Sequence, residues 1–119
     1  MDALHWARVK AEGPYPLRRG AWYRVIEFQL HEVVVDVQLK PVSVPRSLLE
    51  VVAERPLRWT AVPRPRDAVR LRESWGAQYA VCPNCGNRAS LEGDPQEMRC
   101  TQCDGLFPVD WDEKYLGRV

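Results

Sequence analysis

Residues 81 to 105 read VCPNCGNRASLEGDPQEMRCTQCDG and hold all four cysteines of the chain, as two Cys-x-x-Cys pairs fourteen residues apart. Three chemistries use paired cysteines. A dithiol redox site needs one pair at the start of a helix, where the helix dipole lowers a thiolate pKa. Here Pro83 and Gly86 write a tight turn instead, and a second matched pair would have no purpose. A disulfide across Cys-x-x-Cys closes a very small loop and stabilises little through chain entropy. Tetrahedral coordination needs four soft donors at one point, and two turns that each present two sulfurs supply them with little strain. The stretch therefore predicts one structural Zn²⁺ held by Cys82, Cys85, Cys100 and Cys103.

The residues around the cysteines fit that use. Pro83 fixes φ and Gly86 is free to take a positive φ, so backbone N–H groups can turn toward the thiolates and offset their charge. In the second turn, RCTQCDG, Asp104 occupies the position that matches Gly86. Asp is among the few non-glycine residues that tolerate the left-handed region, although its carboxylate adds charge beside an anionic centre. EGDPQ (92 to 96) predicts a turn between the two arms, and Leu91, Met98, Leu106 and Phe107 are expected in the core.

Outward from the cysteines the chain reads as β-structure. Residues 1 to 14 are a lead-in that ends among Gly13, Pro14 and Pro16. From 15 to 62 the text is strand-like. AWYRVIEFQL (21 to 30) is rich in β-branched and aromatic residues, and EVVVDVQLK (32 to 40) sets Val33, Val35, Val37 and Leu39 on one face. The short link between them predicts a hairpin. Prolines 41 and 45 flank a further strand, Ser47 can start one helical turn through Leu48 and Leu49, and LRWTAV (57 to 62) is a last strand. Residues 63 to 76 are a linker stiffened by Pro63 and Pro65, or one short helix with Asp67 as its N-cap. Residues 77 to 112 form the cysteine module, and 113 to 119 a tail. The fold class expected is all-β, a small barrel followed by the cysteine module.

At 119 residues the chain suits one average domain or two very small ones. A unit below about 70 residues needs a staple, which the metal supplies. The first residues lack the basic and apolar regions of a secretory signal, and the longest apolar run falls far short of the ~20 residues of a membrane helix. A cytoplasmic protein with no membrane contact is expected, and in a reducing compartment paired cysteines are more often metal ligands than disulfides. Charge is uneven: residues 1 to 75 carry thirteen basic and nine acidic groups, a balance of +4, and residues 76 to 119 carry four and seven, a balance of −3. Phosphate contacts therefore belong to the first part.

The segment 79 to 111 resembles a zinc ribbon, a class that builds two knuckles on β-hairpins around one structural zinc; Cys82, Cys85, Cys100 and Cys103 match its four ligand positions. Rubredoxins share the CPxCG turn but separate their knuckles by a longer stretch, which leaves an iron electron carrier as the alternative. LRRGAWYRVIE followed by VVVDVQLKPVSVPRSLLEVV resembles an SH3-like barrel. The whole arrangement is similar to a group of uncharacterised bacterial two-module proteins. Zinc ribbons occur in transcription factors, polymerase subunits and ribosomal proteins and as appendages of enzymes, so the resemblance specifies the metal and not the task.

Catalytic machinery is not evident in the sequence. His5 and His31 are the only histidines, one near the terminus and one at a hairpin tip, and neither is placed for acid-base work. No phosphate loop, nucleophile elbow or open zinc site is visible, nor any small-molecule substrate. The expected function is non-catalytic binding within transcription or translation machinery, by contact with nucleic acid or with a protein. For nucleic acid the candidates are Arg55, Arg58, Trp59, Arg64, Arg66, Arg70 and Arg72, where arginine grips phosphates and an exposed Trp stacks on bases; a solvated face with Trp59 in the core is the competing reading. For a protein adaptor they are Trp22, Tyr23, Trp75 and Trp111, since aromatic residues favour interfaces. Trp75 and Trp111 are alternatively the seam between the modules. An accessory component of an enzyme complex is a further alternative.

Overall fold

The computed structural model describes residues 4–10, 14–64, 76–91, 93–113 and 115. They form an all-β molecule of two curled five-stranded sheets with half-barrel character. The first sheet contains β1 (Trp6–Val9), β2 (Tyr23–Phe28), β3 (Glu32–Val37), β4 (Lys40–Pro45) and β5 (Leu49–Val52), in the order β4-β3-β2-β1-β5. Every neighbouring pair is antiparallel. Val33, Val35, Val44, Leu49, Ala7 and Val9 are buried together in its concave core. β4 is an edge strand, where Pro41 and Pro45 cost no ladder bond.

Three expectations change in this sheet. The lead-in is not a lead-in, because residues 6–9 form the strand that pairs with both β2 and β5. WARV is short and carries a charge at its centre, so it has little strand signal; Ala7 and Val9 face the first core, and Arg8 faces the other way. The apolar face of β3 stops at Val37. Gln38 and Leu39 both adopt left-handed φ (52° and 69°) in a two-residue hairpin turn, which leaves Leu39 92% exposed. The helical turn after β4 is a 3₁₀ turn at Arg46–Leu48, with Pro45 rather than Ser47 at its N-cap position and no side-chain cap.

The second sheet contains β6 (Trp59–Pro63), β7 (Gln78–Val81), β8 (Arg88–Ser90), β9 (Glu97–Arg99) and β10 (Leu106–Asp110), in the order β8-β7-β6-β10-β9. β6 and β10 run parallel, and the other pairs are antiparallel. The strand expected to finish the barrel therefore belongs to the second sheet, and the barrel ends at β5. The reason is visible in its burial: Trp59, Thr60, Ala61 and Val62 are all buried, as a central strand with both faces covered requires. Most of the proposed linker or short helix, residues 65 to 75, lies outside the described residues.

β6 and β7 form the wall between the two halves. Alternation sends Trp59, Ala61 and Ala80 to one face, where they pack with Cys82, Leu91, Cys100 and Val109. Val62, Tyr79 and Val81 go to the other, where they meet Ala21 and Tyr115. Gly20 lies against this second face: a Cβ there would sit 2.6 Å from Val62 Cγ2, and its φ of +82° also favours glycine.

Arg8 crosses the same seam at 3% exposure. Its Nε donates to Glu50 (2.7 Å) and its Nη1 to Thr60 Oγ1 and Glu113 (both 2.9 Å), while Nη2 donates to the second oxygen of Glu113. The guanidinium carbon also lies 4.5 Å from the Trp22 ring centroid and 4.3 Å from that of Tyr115. A buried charge is tolerated only when paired and hydrogen-bonded, and Arg8 is both. The Tyr115 hydroxyl accepts from Gly20 N–H (3.0 Å) and donates to Val9 O. Residues 113 and 115 are thus fastened into the seam, not part of a free tail.

Candidate metal centre

Each cysteine pair sits at the mouth of a hairpin. Residues 82–87 connect β7 to β8, and residues 100–105 connect β9 to β10. The two turns repeat the same hydrogen bonds. Cys82 N–H donates to Asn87 O (2.8 Å) and Gly86 N–H to Cys82 O (3.0 Å); Cys100 N–H donates to Gly105 O (2.8 Å) and Asp104 N–H to Cys100 O (2.9 Å). Gly86 (φ +78°) and Asp104 (φ +63°) are the left-handed residues of the two turns. Asn84 N–H points at Cys82 Sγ and Gln102 N–H at Cys100 Sγ, each at 3.4 Å. The glycine after Asp104 has its own reason: a Cβ at Gly105 would lie 2.5 Å from the Phe107 ring.

The four thiols converge. All four Sγ atoms lie within 4.8 Å of one another, with Cys82 and Cys103 3.7 Å apart and Cys85 and Cys100 3.5 Å apart. Tetrahedral thiolates at the usual Zn–S length of about 2.3 Å stand about 3.8 Å apart, so the donor set fits one metal ion. Cys82 and Cys100 are buried against Trp59, whereas Cys85 is exposed. The thiols differ in acidity: burial pushes Cys82 up, and a hydrogen bond from the Asn84 side chain holds Cys103 down at about 6. Metal binding must expel the remaining protons, so affinity will fall in acid. Leu91 is buried in the adjoining core, with Met98 and Phe107 partly buried against it, but Leu106 is 48% exposed, contrary to expectation.

Four of the candidates for nucleic acid, Arg55, Arg58, Trp59 and Arg64, lie among the described residues. Trp59 is completely buried, with its Nε1 donating to Met98 O (3.0 Å), so it offers no face to a base. Arg55 is exposed and donates to Asn84 Oδ1 of the first knuckle (2.5 Å). Arg58 is exposed, and Arg64 is half-buried with its Nε on Gly76 O (2.6 Å). Arg66, Arg70 and Arg72 lie outside the described residues, as does Trp75.

The three described aromatic candidates, Trp22, Tyr23 and Trp111, are each half-buried. Trp22 is half-buried over Arg8, and Tyr23 is half-buried between the first core and the seam, its hydroxyl accepting from Arg18 N–H (2.7 Å). Trp111 packs on the core beside the cysteines and donates to Pro95 O (2.8 Å), while the aromatic residues at the seam include, among the described residues, Trp22, Tyr79 and Tyr115. Sequence reasoning missed Arg8, Glu113 and Tyr115, which meet only in three dimensions. It also missed Arg18, which reaches Gly86 O (2.7 Å) and fastens the first knuckle to the half-barrel.

Among the described residues, no helix is long and apolar enough to cross a membrane. The chain matches no protein-family model, no curated protein and no solved structure.

Proposed function

We propose that this chain is a non-catalytic binding module of the nucleic-acid machinery, kept in shape by one structural zinc. The convergence of four cysteine sulfurs on one point carries the reading. Four thiolates complete a tetrahedral shell and leave no position for substrate or water, which is the arrangement of a structural site. When bound, zinc supplies a cross-link between the two hairpins and no reaction. The matching hydrogen bonds of the two turns support a zinc ribbon, and the strand order of the first sheet, with a 3₁₀ turn before β5, supports an SH3-like half-barrel. The excess of arginine in the first part supports contact with phosphates.

A second reading, a protein adaptor, is favoured by exposed apolar residues on β2. Ile26 and Phe28 are 56% and 43% exposed, and they line a cleft of about 750 Å³ with Leu4 and His5. The two separate on salt. Purified protein should contain one zinc per chain by elemental analysis and be retained on immobilised RNA or DNA in a way that falls steeply with added salt. Salt-insensitive, nuclease-resistant capture of one protein would favour the adaptor, and a chain without zinc would remove the structural-metal reading.

A further inference from the structure

The four cysteine sulfurs meet at one point but do not meet solvent equally. Cys82 and Cys100 are 0% and 1% exposed, Cys103 is half-buried, and Cys85 alone of the four is exposed. The fold sets this difference. Cys82 and Cys100 open their turns and pack in the core with Trp59 and Leu91. Cys85 lines a cleft of about 550 Å³, where Trp22 and Tyr23 of the half-barrel face Asn84 and Gln102 of the two knuckles. A reagent in solution therefore reaches the cluster at Cys85.

In space the sulfurs pair between hairpins. Cys85 Sγ lies 3.5 Å from Cys100 Sγ, and Cys82 Sγ lies 3.7 Å from Cys103 Sγ. Each pair takes one sulfur from the β7–β8 turn and one from the β9–β10 turn. Sulfurs already in contact across two hairpins can bond with little movement of either backbone. A thiol bound to zinc is deprotonated outright, so access, and not acidity in the metal-free chain, decides which sulfur a reagent meets first.

We propose that Cys85 is a site of reversible oxidation by hydroperoxides, with Cys100 as its resolving partner. The proposal rests on the structural-zinc reading given above and goes beyond it. In the first step Cys85 Sγ attacks the terminal oxygen of the hydroperoxide. The S–O bond forms, the O–O bond breaks, and alkoxide, or hydroxide from hydrogen peroxide, leaves and takes a proton from water. Cys85 becomes a sulfenic acid, oxidised by two electrons, and the peroxide is reduced by two. In the second step Cys100 Sγ attacks Cys85 Sγ; the S–S bond forms, the S–O bond breaks and hydroxide leaves. Two of the four ligands are thereby withdrawn, and Cys82 with Cys103 remain as a two-sulfur site, short of the four donors that a structural metal needs. The new bond joins residues 15 apart in sequence and links the same two hairpins that the metal links, so the second sheet keeps a cross-link. A bond within either Cys-x-x-Cys turn would provide none.

The test uses the full zinc-loaded chain, its zinc content measured first, with hydrogen peroxide as oxidant. Dimedone traps sulfenic acid, a chromogenic chelator reports released zinc, and non-reducing tryptic maps report disulfides. Cleavage after Arg72, Arg88, Arg99 and Lys114 puts Cys82 and Cys85 on one peptide, 73 to 88, and Cys100 and Cys103 on another, 100 to 114. A bond between knuckles joins the two peptides, whereas bonds within knuckles leave them apart. Brief exposure should label Cys85 with dimedone at least about fivefold more than any other cysteine. Without dimedone, about one zinc should be released per disulfide formed, and fragmentation of the joined peptides should place the bond between Cys85 and Cys100. Dithiothreitol with added zinc should restore the original map and zinc content. First labelling at another cysteine, disulfides confined to the turns, or oxidation that dithiothreitol does not reverse would each overturn the proposal and leave the zinc reading intact. Zinc that stays bound in excess peroxide would do the same. A chain that binds no zinc would overturn both.

Discussion

Tyr115 shows how much can rest on one side chain. Its hydroxyl satisfies Gly20 N–H and Val9 O inside the seam, and burial pushes its pKa up to about 12 from an ordinary 10.0. The unfolded chain ionises this phenol at the lower pH, so the stabilising contribution is complete below pH 10 and is lost as pH rises through about 12. A shift of about two pKa units corresponds to about 2–3 kcal/mol. Denaturation curves between pH 9 and pH 12 should therefore show a steep decline in the native protein. Tyr115→Phe should be less stable at pH 8, by about 1–3 kcal/mol for two orphaned backbone groups, yet decline more gently, with Tyr79 supplying part of the remaining slope. An identical pH dependence in the variant would show that this phenol is not the buried titrating group. Neither Tyr115 nor its partners was legible in the sequence, because Val9, Gly20 and residue 115 share no local pattern. Asp104 was legible, since the spacing of the second turn alone asked for a left-handed residue there.

Among the elements, hairpins were easier to read than sheets. The β2–β3 pair and the cysteine hairpins were legible because their signals are local: β-branched runs, short links and Cys-x-x-Cys spacing. The assignment of β6 was not, since a strand carries no mark of which sheet it joins, and its parallel partner β10 lies some fifty residues further on. The β3–β4 turn is a further case. Gln38 and Leu39 are poor choices for positive φ, a region that costs most L-residues roughly 1–2 kcal/mol and that Asn-Gly fills readily. The bond from Leu39 N–H to Asp36 Oδ1 (2.8 Å) compensates locally. Because Leu39 packs on almost nothing, Leu39→Gly should raise stability by about 0.5–1 kcal/mol, the relief of strain exceeding the entropy cost of glycine in the unfolded chain. Urea denaturation at neutral pH measures this, and a loss of stability would mean that the turn is not of this type.

At the scale of the molecule, the two halves are joined through a polar node as well as an apolar one. Arg8 is almost fully buried, whereas the Glu50 and Glu113 side chains are 40% and 29% exposed. Removing the cation lets both carboxylates regain water, so the cost is less than the 3–5 kcal/mol of a wholly buried pair and closer to about 2 kcal/mol. Arg8→Met should therefore lower the midpoint of thermal unfolding while leaving the cysteine cluster assembled, because the cysteines lie in the core on the far face of β6 and β7. Calorimetry should then resolve two transitions where the native protein gives one, the half-barrel melting before the sheet that carries the cysteines. Adding Glu50→Gln and Glu113→Gln to Arg8→Met should restore part of the loss, since the uncompensated carboxylates are gone. If Arg8→Met melts in a single step at the native temperature, the seam is held by Val62, Tyr79, Val81 and their apolar neighbours, and the arginine merely fills a space that they leave.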